Sequence, residues 1–136
     1  MTSKNIKIKE EDKTAASDYL KKAKDNYSAM AVALNSENFN AVGTLAIQCA
    51  ISSADAICIY EKGIRSISSD HFDVCDLVSS VTLPEAKEKA GILRKIISKK
   101  NLIQYERRNI HRSEADELAK LVTRFHRWIC DNIIEL

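Results

Sequence analysis

The chain has 136 residues, 45% of them apolar and 29% charged, with a formal net charge of +2. That length supports one domain around one core, and the composition excludes an intrinsically disordered chain. No uninterrupted apolar run approaches the ~20 residues of a membrane span. Residues 1–13 carry charges where a signal peptide has its apolar centre. The sequence therefore reads as having no membrane association and a cytoplasmic setting.

Residues 1–11 are polar and read as a loose, flexible segment ahead of a single domain over 12–136. A first helix is predicted over 12–34, because Tyr19, Ala23, Tyr27, Met30 and Leu34 recur at spacings of three and four. Asn35 and Ser36 break it and offer caps for a second helix over 37–61. That helix is apolar nearly all round, and Ala41, Ala46, Ala50, Ala54 and Ala56 let neighbours approach closely. This profile belongs to a central helix. Gly63 is placed to end it in the left-handed conformation that costs glycine little.

Ser68, Ser69 and Asp70 are N-cap candidates for a short helix over 70–80, with Phe72, Cys75, Leu77 and Val78 inside. Pro84 suits the first turn of the next helix, with Thr82 as its cap and Ala86, Ala90, Leu93 and Ile97 as its stripe. Residues 99–112 lose periodicity, and they either extend that helix or form a connection. Ser113 followed by Asp116 is a weak capping pattern for a last helix to about 133, with Ala115, Leu118, Val122, Phe125, Ile129 and Ile133 inside. One proline and three glycines suit long helices. The expected fold is all-α, an up-and-down antiparallel four-helix bundle with an additional short helix.

Cys49, Cys58, Cys75 and Cys130 form no C-x-x-C pair and read as reduced, mostly buried thiols. No metal site or cofactor is expected, and the phosphate-loop, H-E-x-x-H and G-x-S-x-G patterns do not occur. Between Lys87 and Arg112, nine lysines and arginines face only Glu88 and Glu106, a local excess of seven positive charges. Such a segment either meets phosphate or an acidic partner, or is a solvated face.

Three stretches carry a family resemblance. The first is Ser53-Ala54-Asp55-Ala56 running into Gly63-Ile64-Arg65-Ser66 and Asp70-His71. The second is Lys100-Asn101-Leu102-Ile103-Gln104-Tyr105-Glu106 leading to Arg108. The third is Glu114-Ala115-Asp116, then Arg124-Phe125 and Trp128. In this order the chain resembles the HEPN domain family, and more narrowly its small stand-alone bacterial members, over about residues 14–134. The resemblance implies a HEPN-like helical bundle, often a homodimer. Family members include RNA-cutting toxins of toxin–antitoxin pairs, partners of minimal nucleotidyltransferases, and proteins that bind without catalysis. The family's ribonuclease signature is Arg, four to six residues, then His, near the later helices. Here Arg107 and His111 are separated by three residues and Arg108 and His111 by two. Arg65 and His71 are separated by five, but lie after the second helix.

Asp55 stands among Ile51, Ala54, Ala56, Ile57 and Ile59, and a carboxylate there calls for a partner. The fork of Arg65 is predicted to fold back onto it, with His71 completing the cluster. The cluster is either a structural corner or a ligand site. Lys100, Asn101, Tyr105 and Arg108 supply donors and a stacking ring for a nucleotide or RNA. His111 reads as solvent-facing and His126 as a helix-surface residue. Tyr19, Tyr27, Phe125 and Trp128 read as core or interface. The functional expectation is a non-catalytic nucleotide-, RNA- or protein-binding subunit. The alternatives are a metal-independent ribonuclease using Arg65 or Arg107 with His71 or His111, and a purely structural interaction protein.

Overall fold

The computed structural model describes residues 5–134. They run in the order β1 (Ile8–Glu10), α1 (Ala15–Asn35), α2 (Phe39–Lys62), β2 (Ile64–Ser66), α3 (Asp73–Ser79), α4 (Ala86–Ile97), α5 (Lys100–Tyr105) and α6 (Arg112–Asn132). The chain is therefore mainly helical, with one small sheet.

α2 is the axis of the core. Every residue from Ser53 to Ile59 is buried, so two full turns are covered on all sides. α1, α3, α4, α5, α6 and β2 all pack on α2. By length and mean hydropathy α2 matches a membrane span, a property that counting uninterrupted apolar residues overlooks. Here 72% of its most apolar window is buried inside the protein. α1 contributes Ala16, Leu20, Ala23, Met30 and Ala33 to the core, at the spacings of one helical face. α6 contributes Ala115, Leu118, Val122, Phe125 and Ile129 in the same way. Gly43 marks a close approach, because a Cβ there would lie 2.5 Å from Ile110 Cδ1 and 3.1 Å from Ile103 Cγ1.

Gly63 ends α2 with φ 69° and donates its N–H to Ile59 O, as the sequence predicts. Other boundaries differ. Pro84 lies before α4 rather than within its first turn, and Glu85 at φ 70° makes the entry. α3 begins at Asp73, because Asp70 spends its carboxylate on the Phe72 N–H in a turn. α6 begins at Arg112, and its cap is His111 with Glu114, whose Oε1 accepts the His111 N–H at 2.9 Å; Ser113 and Asp116 are not the pair. Residues 99–112 hold the short α5 and then a turn.

The segment expected to be loose contains a strand. β1 pairs antiparallel with β2, Ile8 opposite Ser66, Lys9 opposite Arg65 and Glu10 opposite Ile64. Glu11 N–H to Gly63 O (2.9 Å) and Ile67 N–H to Lys7 O (2.9 Å) extend the ladder at both ends. Residues 1–4 of that segment lie outside the described residues. The strand pair matters because it fixes the turn that follows α2.

Candidate functional site

β2 leaves α2 at Gly63 and carries Arg65 back to the same cleft as Asp55. Ser68 then locks the descent to α3, with its Oγ donating to Asp73 Oδ2 at 2.6 Å and accepting the Asp70 N–H at 3.2 Å. The result is an open cleft of about 320 Å³ lined by Asp55, Arg65 and His71, with Ser66 and Ser68, between the apolar side chains of Ile51, Ile67 and Val74. His71 also lines a second cleft of about 190 Å³ with Phe72, Ser98, Lys100, Asn101 and Asp70. Asp55, Arg65, Lys100 and Asn101, all singled out in the sequence, thus line clefts that share His71.

Their contacts differ from expectation. Arg65 does not fork onto Asp55. Its Nε donates to Glu11 Oε1 at 3.4 Å, and its guanidinium lies 5.4 Å from the Tyr19 ring centre. Lys9 meets the same Glu11 oxygen at 3.3 Å. Asp55 is only 8% exposed, and no hydrogen bond reaches its carboxyl group among the described residues. Burial pushes its pKa from the ordinary 3.8 up to about 7, against the pull of the Arg65 and Lys22 charges. His71 is lowered, first by burial and then by the nearby Lys100 charge, against the opposing Asp70 carboxylate; the net shift favours the neutral imidazole.

The remaining candidates lie elsewhere. Tyr105 is 72% exposed, with Lys100 Nζ 5.5 Å from its ring centre. Arg107 and His111 are exposed on the turn into α6. Arg108 is engaged by Glu114 through two hydrogen bonds of 2.8 and 2.6 Å. That fork, with the His111 N–H, holds the Glu114 carboxyl down at about 2. Arg112 is paired with Glu37. The basic segment is therefore partly neutralised by neighbouring acids.

A polar cluster that the sequence reading misses sits inside the core. His126 is 6% exposed, not on the helix surface. Its Nδ1 lies 2.9 Å from Ser53 Oγ, its Nε2 3.5 Å from Cys130 Sγ, and the Tyr27 ring stacks on it at 4.9 Å. Tyr27 in turn reaches Thr123 at 3.0 Å. The available signal was register: His126 follows Val122 by four residues and precedes Ile129 by three, placing it on the buried stripe. Ser53 and His126 resemble a nucleophile and base, but Ser53 is fully buried, and among the described residues no carboxylate hydrogen-bonds the ring. The contact is a polar tie between α2 and α6.

The thiols of Cys49, Cys58, Cys75 and Cys130 are all free. Burial raises each, Cys49 to about 12 and Cys75 to about 11, so none is a ready nucleophile. Among the described residues no group of three or more His, Cys, Asp or Glu gathers at metal-binding range. Comparison of the chain with protein-family models, with curated proteins and with solved structures finds no match.

Proposed function

We propose that the chain is a HEPN-like up-and-down bundle acting as a binding or regulatory subunit, which takes a nucleotide or a short stretch of RNA at the paired clefts around His71. One observation supports this above all. Asp55, Arg65, His71, Lys100 and Asn101 come from four separate segments, yet line two clefts that share His71. Small-ligand sites use this arrangement, a few converging polar groups beside apolar walls. In this proposal the subunit is a cytoplasmic homodimer, and an antitoxin or nucleotidyltransferase is the partner class.

The test is equilibrium titration with nucleoside monophosphates and a labelled single-stranded RNA at low salt. Binding should weaken as salt rises, and Lys100→Ala and His71→Ala should each reduce it while leaving the thermal transition in place. No affinity for any of these ligands ends the proposal. Sedimentation of the purified protein checks the homodimer.

A second reading is favoured by a specific pair. Arg65 and His71 share a cleft and have the five-residue separation of the ribonuclease signature. A neutral His71 could accept a proton while Arg65 stabilises phosphoryl charge. That reading requires growth arrest on expression and RNA cleavage, both lost in His71→Ala. A harmless protein that cleaves no RNA leaves the binding subunit.

A further inference from the structure

We infer that the cleft lined by Asp55 is a nucleobase subsite selective for guanine, with the carboxylate accepting hydrogen bonds from N1–H and the exocyclic N2 amino group. The inference rests on the nucleotide-binding reading and names the base that the site takes.

The argument starts from Asp55. Asp55 is 8% exposed and lines the cleft; among the described residues no hydrogen bond from the protein reaches its carboxyl oxygens, which open to the cleft. An ionised carboxylate has only acceptors, so whatever completes it must bring donors. Two parallel donors suit its two oxygens best, as the guanidinium fork shows. Arg65 carries such a fork nearby, but Glu11 holds its Nε and no hydrogen bond joins it to Asp55. The donors therefore come from the cleft, either from water or from a ligand that displaces it.

The shape of the cleft restricts the donor further. Ile51, Ile67 and Val74 give it apolar walls, and about 320 Å³ is the size of a small-molecule site. A flat ring with polar edges fits such walls better than a hydrated cation does. Among the common bases, guanine alone presents two adjacent donors on its pairing edge. Adenine and cytosine place a donor beside an acceptor, which an ionised carboxylate repels. Beyond His71, Lys100 and Asn101 line the adjoining cleft, where a sugar or phosphate attached to the base would emerge. The Asp70 carboxylate shares that cleft and keeps it from being a pure anion site.

The charged and titratable groups that act on Asp55 are Lys22 from α1, Arg65 from β2 and Cys58 on α2 itself, with His71 lining the same cleft. Both cations favour the ionised carboxylate, and burial opposes it. Guanine engages only the ionised form, so its binding should strengthen as pH rises through about 7 and release a proton below it.

The experiment is calorimetric titration of the full chain with guanosine, inosine, adenosine and cytidine 5′-monophosphates. Inosine keeps N1–H and lacks the N2 amino group. The expected result is guanosine monophosphate bound on the order of tenfold more tightly than inosine monophosphate, with adenosine and cytidine weaker still. The preference should vanish in Asp55→Asn, whose fold is checked by thermal melting. The comparison of the four ligands on the unaltered chain stands even if that variant does not fold. Equal affinities, or a preference for adenosine or cytidine, would overturn the guanine inference and leave the binding proposal standing. Failure of all four, together with RNA, removes both.

Discussion

Replacing Asp55 by Asn should stabilise this protein, and the gain should depend on pH. In the unfolded chain the carboxyl ionises near 3.8, whereas in the folded protein it holds its proton to about 7. Between those values the folded state binds the extra proton, so raising the pH favours unfolding. At about 1.4 kcal/mol per pH unit, the difference amounts to about 4 kcal/mol above pH 7. Water entering the open cleft makes this an upper bound. Asn keeps the shape and has no charge to desolvate. The variant should match the parent near pH 4 and exceed it by up to about 4 kcal/mol near pH 8. The depressed His71 and His126 give both proteins an opposite slope, a gain in stability as pH rises through their titration, which cancels in the comparison. Urea unfolding followed by circular dichroism at a series of pH values measures the gap. A gap that stays flat with pH, or a variant less stable at alkaline pH, would refute the reasoning. Either outcome would mean that the carboxylate is already paired or hydrated in the folded protein.

Gly43→Ala should cost about 1–3 kcal/mol by overpacking, because the new methyl meets Ile110 Cδ1 and Ile103. Shortening the neighbour in Gly43→Ala/Ile110→Val should recover part of that loss in the same unfolding assay. Gly63→Ala forces a Cβ into a backbone at φ 69° and should lower stability by about 1 kcal/mol. Ser53→Ala leaves the buried His126 Nδ1 without its 2.9 Å partner and should cost about 1–2 kcal/mol.

The long helices were legible because each buries one regular stripe, and α2 because its burial has no gap. Gly63 was legible because a helix that must turn sharply at its end favours a residue free to take positive φ. The β1–β2 pair was not. Three-residue strands carry almost no periodic signal, and the side-chain contact that seals them joins Glu11 to Arg65 across 54 positions of sequence. The same gap hides Glu11 as the partner of Arg65, since no pattern in residues 1–11 marks a strand. His126 was misread because Arg124 and Arg127 beside it suggested solvent, while its helical register pointed inward. At the clefts, Asp55, Arg65 and His71 could be read from one stretch of chain. That Lys100 and Asn101 join them depends on where α5 returns against α2, which no local pattern encodes.

The small ladder between Ile8–Glu10 and Ile64–Ser66 has a dynamic consequence. All three residues of β1 are exposed, and backbone pairing with β2 and the Glu11–Arg65 contact hold them. Such a hasp belongs to the least protected part of a native protein and can unlatch while the helices stay packed. Its amide protons should exchange with solvent well before those of α2. The entrance beside Asp55 could then widen at little energetic expense, leaving the rigid interior undisturbed.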